Sequence, residues 1–329
     1  MARPRILVLA TGGTIAGMAG SATRHDYRPG QIGIEDYLAR AEDLGLQADL
    51  DGRQIANIGS EDIGPAIWRV LHAQIAAALT DGAYDGIVVT HGTDTAEETA
   101  FLLDLTLATG KPVVLVGAMR PADAVGYDGL RNFANAVRVA GDGRAAGRGV
   151  LVVMGDRVFA ARDVRKVRTR GSDDAFRGFP RGSVALVTPS ALEWFGAPWR
   201  EKSGARYTFS EHLPDVPIVY VNAGLDPDLI GRLAGPNTLG IVVAGVGEGN
   251  MPESVRVRLA QLASQGIAIV RASRVDEGLV DREPDDDTNR FVAARAFNPQ
   301  KARLLLQLLL AEGIADPAAI QAAFDDPYA

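Results

Sequence analysis

Two stretches decide the fold of this chain: RILVLATGGT at residues 5–14 and GIVVTHGTDT at residues 86–95. Each begins with a short apolar run rich in Ile, Leu and Val, and each continues into glycines and hydroxyl residues. Buried parallel strands have this composition, and open α/β sheets bind their ligands just beyond the carboxyl ends of such strands. The two stretches therefore predict an α/β protein with a site where both strands end.

The same alternation of strands and helices extends along the whole chain. In the first half, strands are predicted at 5–10, 86–90, 112–116 and 149–154, helices at 64–79, 95–108 and 129–139, and hairpin segments at 157–160, 162–167 and 183–187. After a Pro- and Gly-containing stretch, strands are predicted at 217–222, 238–245 and 266–273, and helices at 226–233, 252–264, 299–311 and 317–324.

This arrangement predicts a two-domain α/β fold. We expect an N-terminal catalytic domain at 1–195, with a mostly parallel, doubly wound sheet, and a smaller C-terminal α/β domain at 217–329, joined by a surface linker at 196–216.

Composition excludes several classes of function. Among 329 residues, 34 Lys and Arg against 41 Asp and Glu give a net charge of -7, which is the wrong sign for a general nucleic-acid binder. The absence of cysteine excludes disulfides, thiolate metal sites and cysteine nucleophiles, and the four histidines show no HExxH spacing, so no metal site is predicted.

No apolar run approaches a membrane span and no signal peptide is recognisable, so we expect a cytoplasmic protein; a periplasmic or secreted one with its leader absent is the alternative.

The rarity of lysine draws attention to Lys166. Only 4 of the 34 basic residues are lysines, and Lys166 lies within the arginine-rich run RDVRKVR at 162–168. A threonine nucleophile needs a partner that takes its proton, and lysine can deprotonate whereas arginine cannot. His91 is an alternative base, and a solvated surface charge is the alternative role for Lys166.

The turn at 91–95 also has a purely structural interpretation. Asp94 followed by Glu97 has the spacing of a capping box, in which the side chains satisfy the first N–H groups of a helix. On this interpretation the turn serves only to begin a helix, and both interpretations stay open.

Longer motifs resemble those of the bacterial L-asparaginases and glutaminase-asparaginases. The resemblance is carried by ATGGTIAG at 10–17, IGS at 58–60, VTHGTDTAEET at 89–99, VGAMRP at 116–121, GVLVVM at 149–154, RDV at 162–164, AGVG at 244–247 and LLLQL at 304–308. These motifs extend in one order over essentially the whole chain.

The resemblance implies a set of catalytic residues. Thr14 matches the nucleophile that attacks the side-chain amide carbon, and Tyr27 matches a tyrosine on a mobile loop that closes over the site and assists it. Thr93, Asp94 and Lys166 match a second catalytic group, in which Lys166 serves Thr93. Because Asp94 would favour a charged amine, whether Lys166 accepts a proton or orients Thr93 stays open.

The resemblance also implies how substrate is bound. The matching positions are Ser60, Glu61, Thr93, Asp94, Asn250 and Glu283, the last two of which reach the active site of a neighbouring subunit. The resemblance implies a homotetramer, a dimer of intimate dimers with shared sites, and an assembly that stops at the dimer is the alternative.

The function implied is hydrolysis of L-asparagine to aspartate and ammonia through an acyl-threonine, without metal or cofactor. Because family members carry Gln or Glu after the serine, Glu61 suggests a secondary glutaminase activity. The alternatives are a primary glutaminase-asparaginase and, from another class, a non-catalytic amino-acid-binding protein on the same scaffold.

Overall fold

In the computed structural model, residues 2–21, 27–171, 174–199 and 204–328 are described, and the chain divides into two units, 1–205 and 206–329. The stretch predicted as a linker, 196–216, contributes no named helix or strand among its described residues, although its Tyr207 and Val216 are buried.

An eight-stranded mixed sheet forms the centre of the first unit, in the order β10-β9-β6-β5-β4-β3-β1-β2. Strands β1 to β5 pair in parallel, whereas β6, β9 and β10 are antiparallel. The strands are β1 Arg5–Gly12, β2 Asp49–Ile58, β3 Gly86–Thr90, β4 Val113–Val116, β5 Val150–Met154, β6 Arg157–Ala160, β9 Ala185–Val187 and β10 Leu192–Trp194, and a separate hairpin joins β7 Val164–Lys166 to β8 Phe176–Gly178.

Helices cover both faces of this sheet. They are α1 Ile34–Glu42, α2 Pro65–Thr80, α3 Ala96–Thr106 and α4 Gly129–Ala140. In β1, Ile6 and Val8 pack with α1 and α4, whereas Leu7 and Leu9 pack with α2 and α3. Successive side chains of a strand point to opposite faces, so a strand buried on both must be apolar throughout. The predicted doubly wound α/β fold is confirmed, with a mixed sheet.

The order of the strands creates a crevice between β1 and β3. The chain leaves β1 through α1 toward β2 at the edge of the sheet, but leaves β3 through α3 toward β4 on the other side. The carboxyl ends of the two neighbouring strands therefore border a topological switch point, where open α/β sheets bind ligands. Both sequence stretches that predicted the fold end at this crevice.

Strand β2 and helix α1 were not predicted from the sequence. Strand β2 has the polar sequence DLDGRQIANI and lies at the sheet edge, where most of its side chains are partly or fully exposed, so it lacks the apolar run of the inner strands. Helix α1 is short, and only Ile34, Tyr37 and Ala41 of its residues are buried.

A parallel sheet in the order β11-β12-β13-β14 forms the second unit. Its strands are β11 Ile218–Tyr220, β12 Gly240–Gly245, β13 Ala268–Ser273 and β14 Phe291–Ala293, and its helices are α5 Pro227–Leu233, α6 Glu253–Ser264, α7 Pro284–Asn289, α8 Pro299–Ala311 and α9 Pro317–Asp325. Ile241 and Val243 pack with α5 and α6, while the backbone of Gly240 faces Leu306 of α8 on the opposite side. Within the described parts of both units, no helix is long and apolar enough to cross a membrane.

Candidate active site

Two glycine turns meet where β1 and β3 end. Gly12 and Gly13 have positive φ angles of 102° and 78°, a region that glycine enters without strain. A Cβ on Gly13 would lie 2.4 Å from the Cα of Gly92, so the two backbones are in direct contact. Thr11 Oγ1 donates to the carbonyl of Thr90 (3.0 Å) and links the strands just before the turns. This contact brings the turns carrying Thr14 and Thr93 together.

Thr14 is hydrogen-bonded to Tyr27. The two hydroxyl oxygens lie 2.6 Å apart; Thr14 is 6% exposed and Tyr27 is 38% exposed. Met18 and Arg28 exchange backbone hydrogen bonds of 3.1 and 3.0 Å at the base of the segment that carries Tyr27. Residues 22–26 of the segment expected to be a mobile loop lie outside the described residues.

Asp123 holds the first part of this segment. Its carboxylate accepts the backbone N–H groups of Ala19 (2.8 Å) and Gly20 (2.7 Å). The Ala19 hydrogen bond, and then that of Gly20, keep the pKa of Asp123 below its ordinary value. Asp123 was not among the predicted site residues, because a contact between positions about a hundred residues apart leaves no local sequence signal.

The second turn gathers Thr93, Asp94 and Lys166. Lys166 comes from β7, and its Nζ donates to Thr93 Oγ1 (2.8 Å) while forming a short ion pair with Asp94 Oδ1. Thr93 is 5% exposed, whereas the side chain of Asp94 is 58% exposed. Lys166 is thus a hydrogen-bond partner of a buried hydroxyl, and its interpretation as a solvated surface charge is wrong.

Ser60 joins the second turn to the end of β2. Its Oγ accepts the backbone N–H of Asp94 (3.1 Å), and its carbonyl accepts the hydroxyl of Thr95 (2.7 Å). Helix α3 is capped by Thr95 without a side-chain cap hydrogen bond. The capping-box interpretation of Asp94 is therefore wrong, since the Asp94 carboxylate pairs with Lys166 instead.

Glu61 is exposed and its carboxylate folds back over Gly59. A Cβ on Gly59 would lie 2.3 Å from Glu61 Oε1, so only glycine at that position leaves room for this conformation.

His91, the alternative base, is buried beneath the second turn. It is 0% exposed, its Nδ1 lies 2.7 Å from the carbonyl of Gly92, and its Nε2 has no hydrogen-bond partner among the described residues. Burial lowers its pKa to about 4, so the ring is neutral at pH 7. Because its hydrogen bond goes to a backbone carbonyl while Lys166 binds Thr93, the structure favours lysine as the partner of the threonine.

The other two predicted residues, Asn250 and Glu283, belong to the second unit. Asn250 is exposed and exchanges backbone hydrogen bonds with Val246 (2.9 and 2.8 Å). Glu283 caps α7 and its carboxylate faces two arginines, with Arg271 Nη1 at 3.4 Å and Arg256 Nη1 at 3.6 Å. Neither arginine was predicted, because they lie on β13 and α6 and meet Glu283 only through contacts between separate elements, which leave no local sequence signal.

No group of three or more His, Asp or Glu side chains that could hold a metal ion occurs in the part of the chain that the structure describes. The functional groups at the two turns are hydroxyls, a carboxylate and an amine.

Comparison with known proteins covers both units. The family model described as "Asparaginase, N-terminal" matches residues 5–200, and that described as "Glutaminase/Asparaginase C-terminal domain" matches residues 215–324.

Individual relatives match over nearly their full length. The chain is 43% identical to L-asparaginase 2 of Escherichia coli (strain K12), over 99% of this chain and 94% of the relative. It is 41% identical to a protein of Haemophilus influenzae named probable L-asparaginase periplasmic, over 98% and 93%. A solved structure, a probable cytoplasmic L-asparaginase from Campylobacter jejuni, superposes with a TM-score of 0.91 at 37% identity, over 98% of this chain and 99% of that one.

Proposed function

The chain belongs to the asparaginase family and is an L-asparaginase, and we propose that its hydrolysis of asparagine runs on the two threonine turns of the first unit. The observation that carries this proposal is the 2.6 Å contact between Thr14 Oγ1 and the Tyr27 hydroxyl. Thr14 follows a turn whose backbone touches, at Gly13 and Gly92, the turn that carries the Thr93–Lys166 pair. The enzyme releases aspartate and ammonia.

Thr14 is the nucleophile in this proposal. Its Oγ1 attacks the side-chain amide carbon while its proton passes to the Tyr27 oxygen, and the phenol's own proton moves on to the amide nitrogen, because a phenol can accept one hydrogen bond while donating another. Ammonia leaves with a proton, and water then cleaves the acyl-threonine. The covalent route replaces one difficult step with two easier ones.

Lys166 orients Thr93 in this proposal. The amine donates to Thr93 Oγ1 and is paired with the Asp94 carboxylate, which favours the ammonium form, and an ammonium has no lone pair to accept a proton. With its oxygen occupied by this donor, Thr93 directs its own hydrogen toward the substrate.

Recognition of a zwitterionic amino acid requires opposite charges at its two ends. The exposed carboxylate of Asp94 suits the α-ammonium group, and the hydroxyl of Ser60, whose oxygen already accepts the Asp94 N–H, keeps its hydrogen for the α-carboxylate. Glu61 borders this pair, and Asn250 and Glu283 contribute from the second domain of a neighbouring subunit.

Release of ammonia tests this function directly. Purified protein should release ammonia from L-asparagine with steady-state kinetics, and Thr80→Ala, a change of the same type on the exposed end of α2, should match the wild type. Binding of asparagine without ammonia release would favour the alternative, an amino-acid-binding protein on this scaffold.

A secondary glutaminase activity is part of the proposal. The description of the C-terminal family model names glutaminase, and Glu61 places a carboxylate beside the substrate-binding serine. The Glu61→Gln variant should change the ratio of kcat/KM for asparagine and glutamine by a few-fold, about 1 kcal/mol. An unchanged ratio would remove Glu61 from substrate selection, and a wild-type ratio favouring glutamine would make the enzyme primarily a glutaminase.

The proposed assembly is a homotetramer, a dimer of intimate dimers in which Asn250 and Glu283 complete a neighbouring subunit's site. Mixed tetramers of Glu283→Ala and Thr14→Ala chains, each inactive alone, should regain part of the activity because some sites receive both intact residues. Hybrids that assemble but stay inactive would place each site within one chain.

The proposed location is cytoplasmic. The Campylobacter jejuni relative is named a probable cytoplasmic L-asparaginase, whereas the Haemophilus influenzae relative is named periplasmic. Fractionation of the native host, with asparaginase activity as the readout, decides between the two compartments.

A further inference from the structure

Arg271 carries a fully buried guanidinium in the second unit. It lies on β13, its side chain is 0% exposed, and Nε and Nη2 each donate to one oxygen of Asp286, both at 2.7 Å. Asp286 is likewise 0% exposed. Burial lowers the pKa of Arg271, but the hydrogen bonds to Asp286 together with the negative charges of Asp286, Glu283 and Glu248 outweigh burial and leave the pKa above its ordinary value.

The remaining donors of Arg271 reach two separate segments. Nη2 donates to the carbonyl of Asp281 (3.0 Å), and Nη1 donates to the carbonyl of Glu248 (3.3 Å) and lies 3.4 Å from Glu283 Oε1. One guanidinium therefore connects the segment 246–250, which ends in Asn250, with the segment 281–283, which ends in Glu283.

Asp286 completes this connection from the other side. Its Oδ2 accepts both Nη2 of Arg271 and the backbone N–H of Glu283 (2.8 Å). The position of the Glu283 backbone is thus fixed by the same carboxylate that neutralises Arg271.

Gly249 allows Arg271 to approach the first segment closely. Its φ is +85°, and a Cβ there would lie 3.1 Å from Nη1 of Arg271. A larger residue would be strained and would crowd the guanidinium.

A buried ion pair is a poor source of stability, because desolvation offsets most of its attraction and well-packed apolar residues often serve as well. A fork of five fixed donors, by contrast, is well suited to holding several oxygens in one geometry. The Arg271–Asp286 pair therefore contributes more to the arrangement of the segments it contacts than to the free energy of unfolding.

We propose that Arg271 and Asp286 are positioning residues, which hold Asn250 and Glu283 in the arrangement that binds the α-ammonium group of the substrate. This rests on the proposed function, in which Asn250 and Glu283 contact substrate. Neither Arg271 nor Asp286 needs to touch the substrate.

A double-mutant cycle on the full enzyme tests this proposal. Arg271→Lys keeps the charge but loses the fork, and it should lower kcat/KM for asparagine about tenfold, mainly through KM. Glu283→Gln should lower it at least as much, and Arg271→Lys combined with Glu283→Gln should be no worse than Glu283→Gln alone. Asp286→Asn, which retains the side-chain shape, should behave like Arg271→Lys.

Hydrogen exchange of the same variants gives a readout independent of activity. Exchange at 246–250 and 281–283 should rise in Arg271→Lys but not in Arg303→Lys, a control whose Nε donates to the carbonyl of Val216 (3.1 Å) elsewhere in this unit.

Additive kinetic losses, or wild-type kinetics in Arg271→Lys, would overturn the positioning role. Unchanged exchange in both segments would show that the connection itself is absent. Failure of the wild type to release ammonia from asparagine would instead overturn the proposed function, and the substrate role of the pair with it, while the exchange data would still decide whether Arg271 holds the two segments.

Discussion

The two threonine turns share a layout but differ in the partner of each hydroxyl. Both follow a buried parallel strand and contain glycine, and their backbones touch at Gly13 and Gly92. Thr14 meets an exposed phenol, Tyr27, whereas Thr93 meets Lys166, which is mostly buried and paired with Asp94. A phenol can take a proton from a hydroxyl while it passes its own proton on, but an ammonium can only donate. The same local structure thus suits a nucleophile in one turn and an oriented hydrogen-bond donor in the other.

Removing the first hydroxyl should have the largest effect. Thr14→Ala should lower kcat for asparagine by about 10⁴-fold or more, because the covalent route is lost, while KM changes little. The measurement is steady-state ammonia release at saturating asparagine, with Thr80→Ala as the matched control. Near-normal turnover in Thr14→Ala would remove the distinction between the turns.

Disrupting the second turn should have the next largest effect. Thr93→Val and Lys166→Met should each lower kcat by roughly 10³-fold, the loss expected when one preorganised hydrogen-bond donor to the reacting group is removed. Since Lys166 acts through Thr93, the double variant should have the same kcat as Thr93→Val alone. Measuring kcat of the two single variants and the double variant checks this. Multiplicative losses would mean that Lys166 acts on the substrate by a separate route.

His91 should affect the stability of the folded chain rather than the rate of catalysis. It occupies the second turn where the first has Thr11, and burial lowers its pKa from 6.5 to about 4. Between these values the unfolded chain binds a proton that the folded chain does not, so the free energy of unfolding must fall as pH is lowered through this window. This shift in pKa corresponds to about 3 kcal/mol in the free energy of unfolding.

His91→Asn should remove this part of the pH dependence. Urea unfolding at pH 7 and pH 4 measures it as the difference between wild type and variant, and His212→Asn, at an exposed histidine, should keep the wild-type dependence. An identical loss of stability in wild type and His91→Asn would show that folding does not change the pKa of the buried ring.

Removing the phenol of Tyr27 should have the smallest effect among these substitutions. Tyr27→Phe should lower kcat by about 10²-fold, since proton transfer to Tyr27 is lost but the nucleophile remains. The lost activity should be in kcat, because the phenol is not a partner of the substrate's charged ends. A loss confined to KM would instead make Tyr27 a substrate-binding residue.

Much of the fold could be predicted because its inner strands are buried on both faces. Such strands need continuous apolar runs, and β3 and β6 lie at the residues predicted for them, 86–90 and 157–160. Strand β2 was not predicted because an edge strand needs no such run. Helix α7 was not predicted because its acidic sequence PDDDTN has no apolar face.

The site was predictable only in part. The turns at 11–14 and 91–95 could be located from strand ends, and the resemblance supplied residue roles. Thr93 meets its partner Lys166 across 73 residues of sequence, and Glu283 meets Arg271 across 12 residues. The periodicity of strands and helices does not encode such contacts. The distinction between the two turns therefore came from the resemblance and from the three-dimensional contacts, and not from the pattern of strands and helices.

The most direct test of that distinction is the site of acylation. Thr93→Val enzyme, in which later steps should be slowed, would be mixed with asparagine, quenched in acid within one turnover, digested and analysed by mass spectrometry. An aspartyl ester on the peptide that contains Thr14 is the predicted result. Turnover without any such ester, or an ester in wild-type enzyme on the peptide that contains Thr93, would contradict the account.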